Sequence, residues 1–161
     1  MNYHGSMQEK IRHLQHNMYI DGMGVILLGL WSALKVFVIM AEEIRSIENS
    51  YALPGHIFVT IKVIASVMIF IFILLIWLYH YYVGSGAIKA GKGRTMPKIY
   101  YFWTVVFLLI NIFGLPSYFF ADHTTKISDT GFAAMLVDFT IVFIVIDLLS
   151  SARRLKKLKN T

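Results

Sequence analysis

The chain has 161 residues, of which 57% are hydrophobic and 15% charged, with a mean hydropathy of +0.64, whereas a water-soluble domain is about a quarter charged and less than half apolar. A unit this short cannot hide the excess in a water-surrounded core, so two soluble domains are excluded and lipid is the environment that accommodates it. Cysteine is absent, which removes disulfides, thiolate metal sites, cysteine nucleophiles and dithiol relays; the net charge of +6 takes its meaning from where the basic residues lie.

A helix crosses a hydrocarbon core of about 30 Å with about 20 apolar residues. The first such run, 19–41, follows a basic lead-in with Lys10, Arg12, His13 and His16, and it contains Asp21 and Lys35. A cleaved leader is disfavoured, because the run exceeds the usual apolar length, Lys35 interrupts it, and the residue three before the cut would be a bulky Val38 or Ile39. Gly22, Gly24, Gly29 and Ala33 make this helix small-sided, which favours close packing inside one chain over a dimer contact. A connection with Glu42, Glu43 and Glu48 against Arg45 leads to the second run, 57–83, which holds Lys62, Ser66 and His80 and closes with Trp77, Tyr79, Tyr81 and Tyr82.

The second connection is rich in glycine and lysine, and Gly86 to Lys92 fits the first seven positions of a phosphate-binding loop. The eighth should be Ser or Thr to hold Mg²⁺ but is Gly93, and the loop follows an apolar helix instead of a strand. A flexible basic turn on anionic lipid is the better expectation. The third run, 99–120, opens with Tyr100, Tyr101 and Trp103, and Pro116 after Gly114 should kink or end it. Its polar residues Tyr100, Thr104, Asn111 and Tyr118 form one stripe. A connection with Asp122 and Asp129 against Lys126 precedes the fourth run, 131–151, which holds Asp138 and Asp147. The tail 152–161 carries Arg153, Arg154, Lys156, Lys157 and Lys159 around Leu155 and Leu158, a pattern suited to an interfacial continuation of the last helix.

These runs are about twice the length of ordinary strands, and a lone strand cannot satisfy its backbone in lipid. The expected fold class is therefore all-α: an integral membrane four-helix bundle forming a single transmembrane domain over 1–161. Basic and acidic connections alternate along the chain, which puts both termini and the second connection on the cytoplasmic side. The alternation and the missing cysteines are compatible with a multi-pass protein of a bacterial plasma membrane.

Ionisable groups inside a bilayer cost about 2.5 to 3.5 kcal/mol each, so each is a candidate. Lys35, Lys62, Asn111 and Asp138 fall in the outer half and are expected to form a polar cluster in which Asp138 neutralises Lys35, Lys62 or both. Asp21, His80 and Asp147 fall near the cytoplasmic boundary. Asp138 and Asp147 lie nine positions apart, which puts them on roughly opposite helix faces. Lys89, Lys92, Arg94, Arg153, Arg154, Lys156 and Lys157 are expected to contact anionic lipid headgroups. Ser32, Ser66 and Ser117 lack a recognisable base partner, and the histidines, His56 and His123 included, lack metal-ligand spacing. No catalytic residue, metal or cofactor is implied, and nothing in the basic residues is a nucleic-acid motif.

The reading these features favour is a small non-enzymatic membrane protein, an accessory or assembly subunit with a membrane-protein partner or a second copy of itself. A small transporter or channel subunit with a polar intramembrane pathway is the alternative, and a membrane-embedded enzyme comes third.

Overall fold

The computed structural model describes residues 3–50, 55–120 and 129–159, and among these all regular structure is helical. The elements are α1 (Tyr3–Ser50), α2 (Gly55–Gly91), α3 (Lys98–Gly114), the single turn α4 (Ser117–Phe120) and α5 (Asp129–Lys159). Pro97 and Pro116 stand between elements, as expected of a residue that lacks the helical N–H and clashes with the preceding turn. Four helices are long and apolar enough to cross a membrane, over Met7–Ser46, Val59–Gly91, Lys98–Phe119 and Gly131–Leu158. They suggest a multi-pass membrane protein. Asp122, His123 and Lys126 lie outside the described residues, as do the side chains of Glu43, Glu48, His56, Asp129 and Lys159.

The helices outrun the apolar segments that announce them. α1 has 48 residues, α2 has 37 and α5 has 31, lengths of about 72, 55 and 46 Å at 1.5 Å per residue. The expected limits 19–41, 57–83 and 131–151 mark where the sequence stops being oily, which is not where the backbone stops being helical. Gln, Glu, Lys, Arg and Met are good helix formers, and such residues extend α1 at both ends and α5 beyond Ser151.

The glycine-rich segment expected to be a turn is helical as far as Gly91. Its glycines let backbones touch: a Cβ on Gly84 would lie 2.5 Å from the Gly22 carbonyl oxygen, and one on Gly91 would lie 2.7 Å from that of Gln15. The turn proper begins at Lys92. The Gly93 N–H donates to the Ala90 carbonyl at 2.9 Å and the Arg94 N–H to that of Lys89 at 3.1 Å, with Gly93 at φ 83°. This is the Schellman ending, which needs a residue without a Cβ in the left-handed conformation. Gly93 is thus the helix stop, which accounts for a glycine where a phosphate loop needs Ser or Thr.

α1 is central and packs along α2 and α5, while α3 leans on α5 and touches α2 lightly. Val25, Val83, Phe107, Ile141, Val145 and Leu149 form the main core, with at least one residue from each long helix. A second cluster of Met18, Ala90, Ala152 and Leu155, with Ile11, Leu14, Met96 and Tyr101 against it, closes the end where α1 begins and α5 finishes, the terminal end of the bundle. No residue in the most apolar stretch of α2 is buried, and Phe70, Phe72, Leu75 and Leu78 are exposed, which is the surface a helix presents to acyl chains.

Candidate functional site

Toward the end of the bundle opposite the termini, three elements converge on one carboxylate. Lys35 on α1 donates from Nζ to both oxygens of Asp138 on α5, at 2.8 and 2.6 Å. Tyr118 on α4 donates its hydroxyl to Asp138 Oδ2 at 2.6 Å, and the same hydroxyl accepts from Lys35 Nζ at 3.1 Å. The Lys35 ammonium also stands 5.7 Å from the centre of the Tyr118 ring. The pair is mostly enclosed, with 19% of the Lys35 side chain and 13% of the Asp138 side chain accessible, so each charge depends on these partners.

Tyr118 reaches this position because α3 is interrupted. Gly114 ends the helix, Leu115 donates to Ile112 at 3.2 Å, and Pro116 offers no N–H. The chain re-forms a turn in which Ser117 Oγ donates to the Gly114 carbonyl at 2.6 Å and Phe119 N–H to that of Pro116 at 2.9 Å. The kink expected at Pro116 therefore has a consequence beyond ending the helix: it swings the tyrosine toward α5.

Beside the clasp lies a cavity of about 220 Å³ lined by Ser32, Lys35, His80, Phe107, Asn111 and Asp138, among others. His80 is 5% exposed, and a Cβ on Gly29 would come within 2.5 Å of the His80 Cβ, so the glycine makes its room. His80 Nδ1 lies 2.8 Å from the Ile76 carbonyl. A carbonyl only accepts, so Nδ1 carries a proton and the lone pair of the neutral ring is on Nε2. Nε2 is buried and has no hydrogen-bond partner. The Phe107 ring meets the imidazole edge-on at 4.7 Å, and Asn111 Nδ2 donates to the Phe107 carbonyl at 2.8 Å. Ser32 shares the cavity but makes no bond to Nε2, so the serine is not activated as a nucleophile.

Lys35, Asp138 and Asn111 thus come together, and Lys62 does not join them. It lies in a separate groove with Phe37, Ala41, Ile44, Arg45, Ser66 and Ile69. The reason is depth: Lys62 is the eighth residue of α2, fourteen positions before Ile76, where α2 first lines the clasp cavity. His80 is also placed differently from expectation, since it faces the clasp cavity and not the group of Asp21 and Asp147. Those two carboxylates face each other between α1 and α5, toward the terminal end, and Asp21 Oδ2 is buried without a partner. Lys89, Lys92, Arg94, Arg153, Arg154, Lys156 and Lys157 are all exposed and gather at the terminal end, with Lys92 Nζ 5.9 Å from the Tyr19 ring centre. Sequence reasoning put Tyr118 in the polar stripe of the third helix but did not place it in the cluster. Its stripe-mate Asn111 and the break at Pro116 were the available signals.

Among the described residues no group of three or more His, Asp or Glu could hold a metal ion. An ammonium, a carboxylate and a phenol that saturate one another make a crosslink between helices. With the His80 ring beside them they also make a polar pocket inside an apolar bundle. No protein-family model matches the chain, and it is similar to none of the curated proteins or solved structures compared with it.

Proposed function

We propose that the chain is a non-enzymatic, multi-pass membrane protein, an accessory or assembly subunit of a bacterial plasma membrane with both termini in the cytoplasm. The observation that carries this reading is the closed clasp: Lys35, Asp138 and Tyr118 satisfy one another across α1, α4 and α5. The most costly polar groups in the outer half are thereby committed to holding the bundle together. The length of the helices also supports it, since about 48 residues of α1 exceed what a bilayer needs and leave a helical platform at the basic end. Such a platform suits a membrane-protein partner.

A second reading, a small transporter or channel subunit, is favoured by the buried, unpartnered Nε2 of His80 in the cavity that Lys35, Asp138 and Asn111 also line. Asp138→Asn separates the two readings in cells. Loss of the protein from the membrane, restored by the pair Lys35→Met with Asp138→Leu, supports the structural role; normal abundance with lost flux supports transport. Orientation is tested directly, because the chain has no cysteine and single-cysteine labelling has no background. Lys92→Cys should react only from the cytoplasmic side and Glu42→Cys only from the outside, and the reverse pattern would refute the orientation.

A further inference from the structure

At the basic end, between the turn after α2, the first turn of α3 and the last turns of α5, lies a cavity of about 390 Å³. Arg94, Lys98 and Lys156 line it, one from each element, together with Thr95. Its floor is Ala90, Met96, Tyr101, Ala152 and Leu155, all of which also belong to or pack on the apolar cluster at that end. No carboxylate of the described residues lines it. Folding brings like charges together here without a lining acid to neutralise them, an arrangement that costs free energy unless an anion shares the space. The Arg94 position is not adventitious, since the Schellman hydrogen bond from its N–H to Lys89 fixes where the residue leaves α2.

We propose that this cavity binds the phosphate of an anionic phospholipid headgroup, and that a headgroup with two phosphates binds better than one with a single phosphate. Arg94 supplies a planar fork that matches phosphate oxygens in pairs, and Lys98 and Lys156 supply compact charges. Three cations are better balanced by two phosphates than by one. The apolar floor selects a lipid over a free anion, because glycerol and the first methylenes gain from contact with Met96, Tyr101 and Leu155 while a hydrated phosphate does not. Basic pockets between membrane helices bind such headgroups on the cytoplasmic side. The inference rests on the membrane reading above, and its test in detergent is independent of which leaflet the cavity faces, so failure of the orientation and failure of the site are separable.

The experiment is lipid retention by the purified full-length chain in neutral detergent, read by native mass spectrometry with cardiolipin, phosphatidylglycerol or phosphatidylcholine added. Cardiolipin should bind most tightly and phosphatidylcholine least. The triple substitution Arg94→Gln, Lys98→Gln and Lys156→Gln should weaken cardiolipin binding by about tenfold or more. A control triple with the same loss of charge outside the cavity, Arg12→Gln, Lys89→Gln and Arg153→Gln, should weaken it by less than about threefold. Equal losses in the two triples, equal binding of phosphatidylcholine, or displacement of cardiolipin by equimolar inorganic diphosphate would each overturn the proposal. If the site triple does not fold, Arg94→Lys keeps the charge and removes only the fork. It should still lower cardiolipin retention severalfold, and unchanged retention would equally overturn the site.

Discussion

Removing the Asp138 carboxylate strands the Lys35 ammonium with only a phenol oxygen for company. For a fully enclosed pair, breaking one partner costs about 3 to 5 kcal/mol. Here 19% of the Lys35 side chain is accessible and its flexible stem can carry the charge toward the helix end, so about 2 to 3 kcal/mol is the better figure for Asp138→Leu. Lys35→Met costs less, about 1 to 2 kcal/mol, because the Tyr118 hydroxyl still donates to the carboxylate. The double variant removes both charges and leaves only the tyrosine hydroxyl unpaired, at about 1 kcal/mol. The coupling between the two positions is then about 2 to 4 kcal/mol, well above the roughly 0.6 kcal/mol typical of interhelical hydrogen bonds in a bilayer. The assay is loss of helical circular dichroism as the purified protein is titrated with dodecyl sulfate in mixed micelles, run on the wild type, both singles and the double. Additive costs, or an Asp138→Leu variant as stable as the wild type, would show that the two groups do not act as a pair.

Tyr118→Phe keeps the ring beside Lys35 and deletes one charge-assisted hydrogen bond, so the same titration should register a loss of about 1.5 kcal/mol. Pro116→Ala allows α3 to continue through Leu115 and should lose about as much by drawing Tyr118 away from Asp138, with no further loss when combined with Tyr118→Phe. Close approach of α1 and α2 predicts an order among glycine substitutions. Gly22→Ala, whose Cβ would meet the Gly84 carbonyl oxygen at 2.6 Å, should cost about 1 to 3 kcal/mol of stability. Gly24→Ala meets only the tip of Ile144 at 3.3 Å and should be nearly neutral, as should Gly114→Ala, which meets nothing within 4 Å. Thermal unfolding in detergent ranks them, and equal effects at Gly22 and Gly114 would contradict the packing described.

Hydrophobic run length carries the helix count almost unaided, because a bilayer sets a minimum span and these runs exceed it. It carries the helix ends poorly. Lys10 and Glu42 break the oily pattern without breaking the helix, so α1 reaches far past both, and the glycines from Gly84 to Gly91 look like a loop until the α1 backbone lies against them. Angular spacing had more to say about the site. It separated Asp138 from Asp147, and the two indeed serve different ends of the bundle, one against Lys35 and one against Asp21. It could not say which depth on α2 meets which depth on α1, because spacing along one helix contains no register between helices. Sequence position alone therefore groups Lys62 with Lys35 and Asp138, and His80 with Asp21 and Asp147.

The register is set by the small residues. Gly22 meets Ala87 as well as Gly84, and Gly29 meets His80; from Gly22 to Gly29 on α1 and from Ala87 to His80 on α2 the step is one heptad, as in left-handed packing of neighbouring helices. Once Ala87 is seated against Gly22, the α2 residue that falls opposite Gly29 is His80, with Lys35 six positions further along α1. The imidazole therefore comes to the cavity through the packing of glycines and not through any attraction to the charges there. A larger residue at position 29 is accordingly a way to move His80 while leaving Lys35, Asp138 and Tyr118 in place. If Gly29→Ala displaces the ring and the clasp keeps its stability, His80 and the ion pair are independent parts of the molecule, and any role of the cavity belongs to the histidine alone.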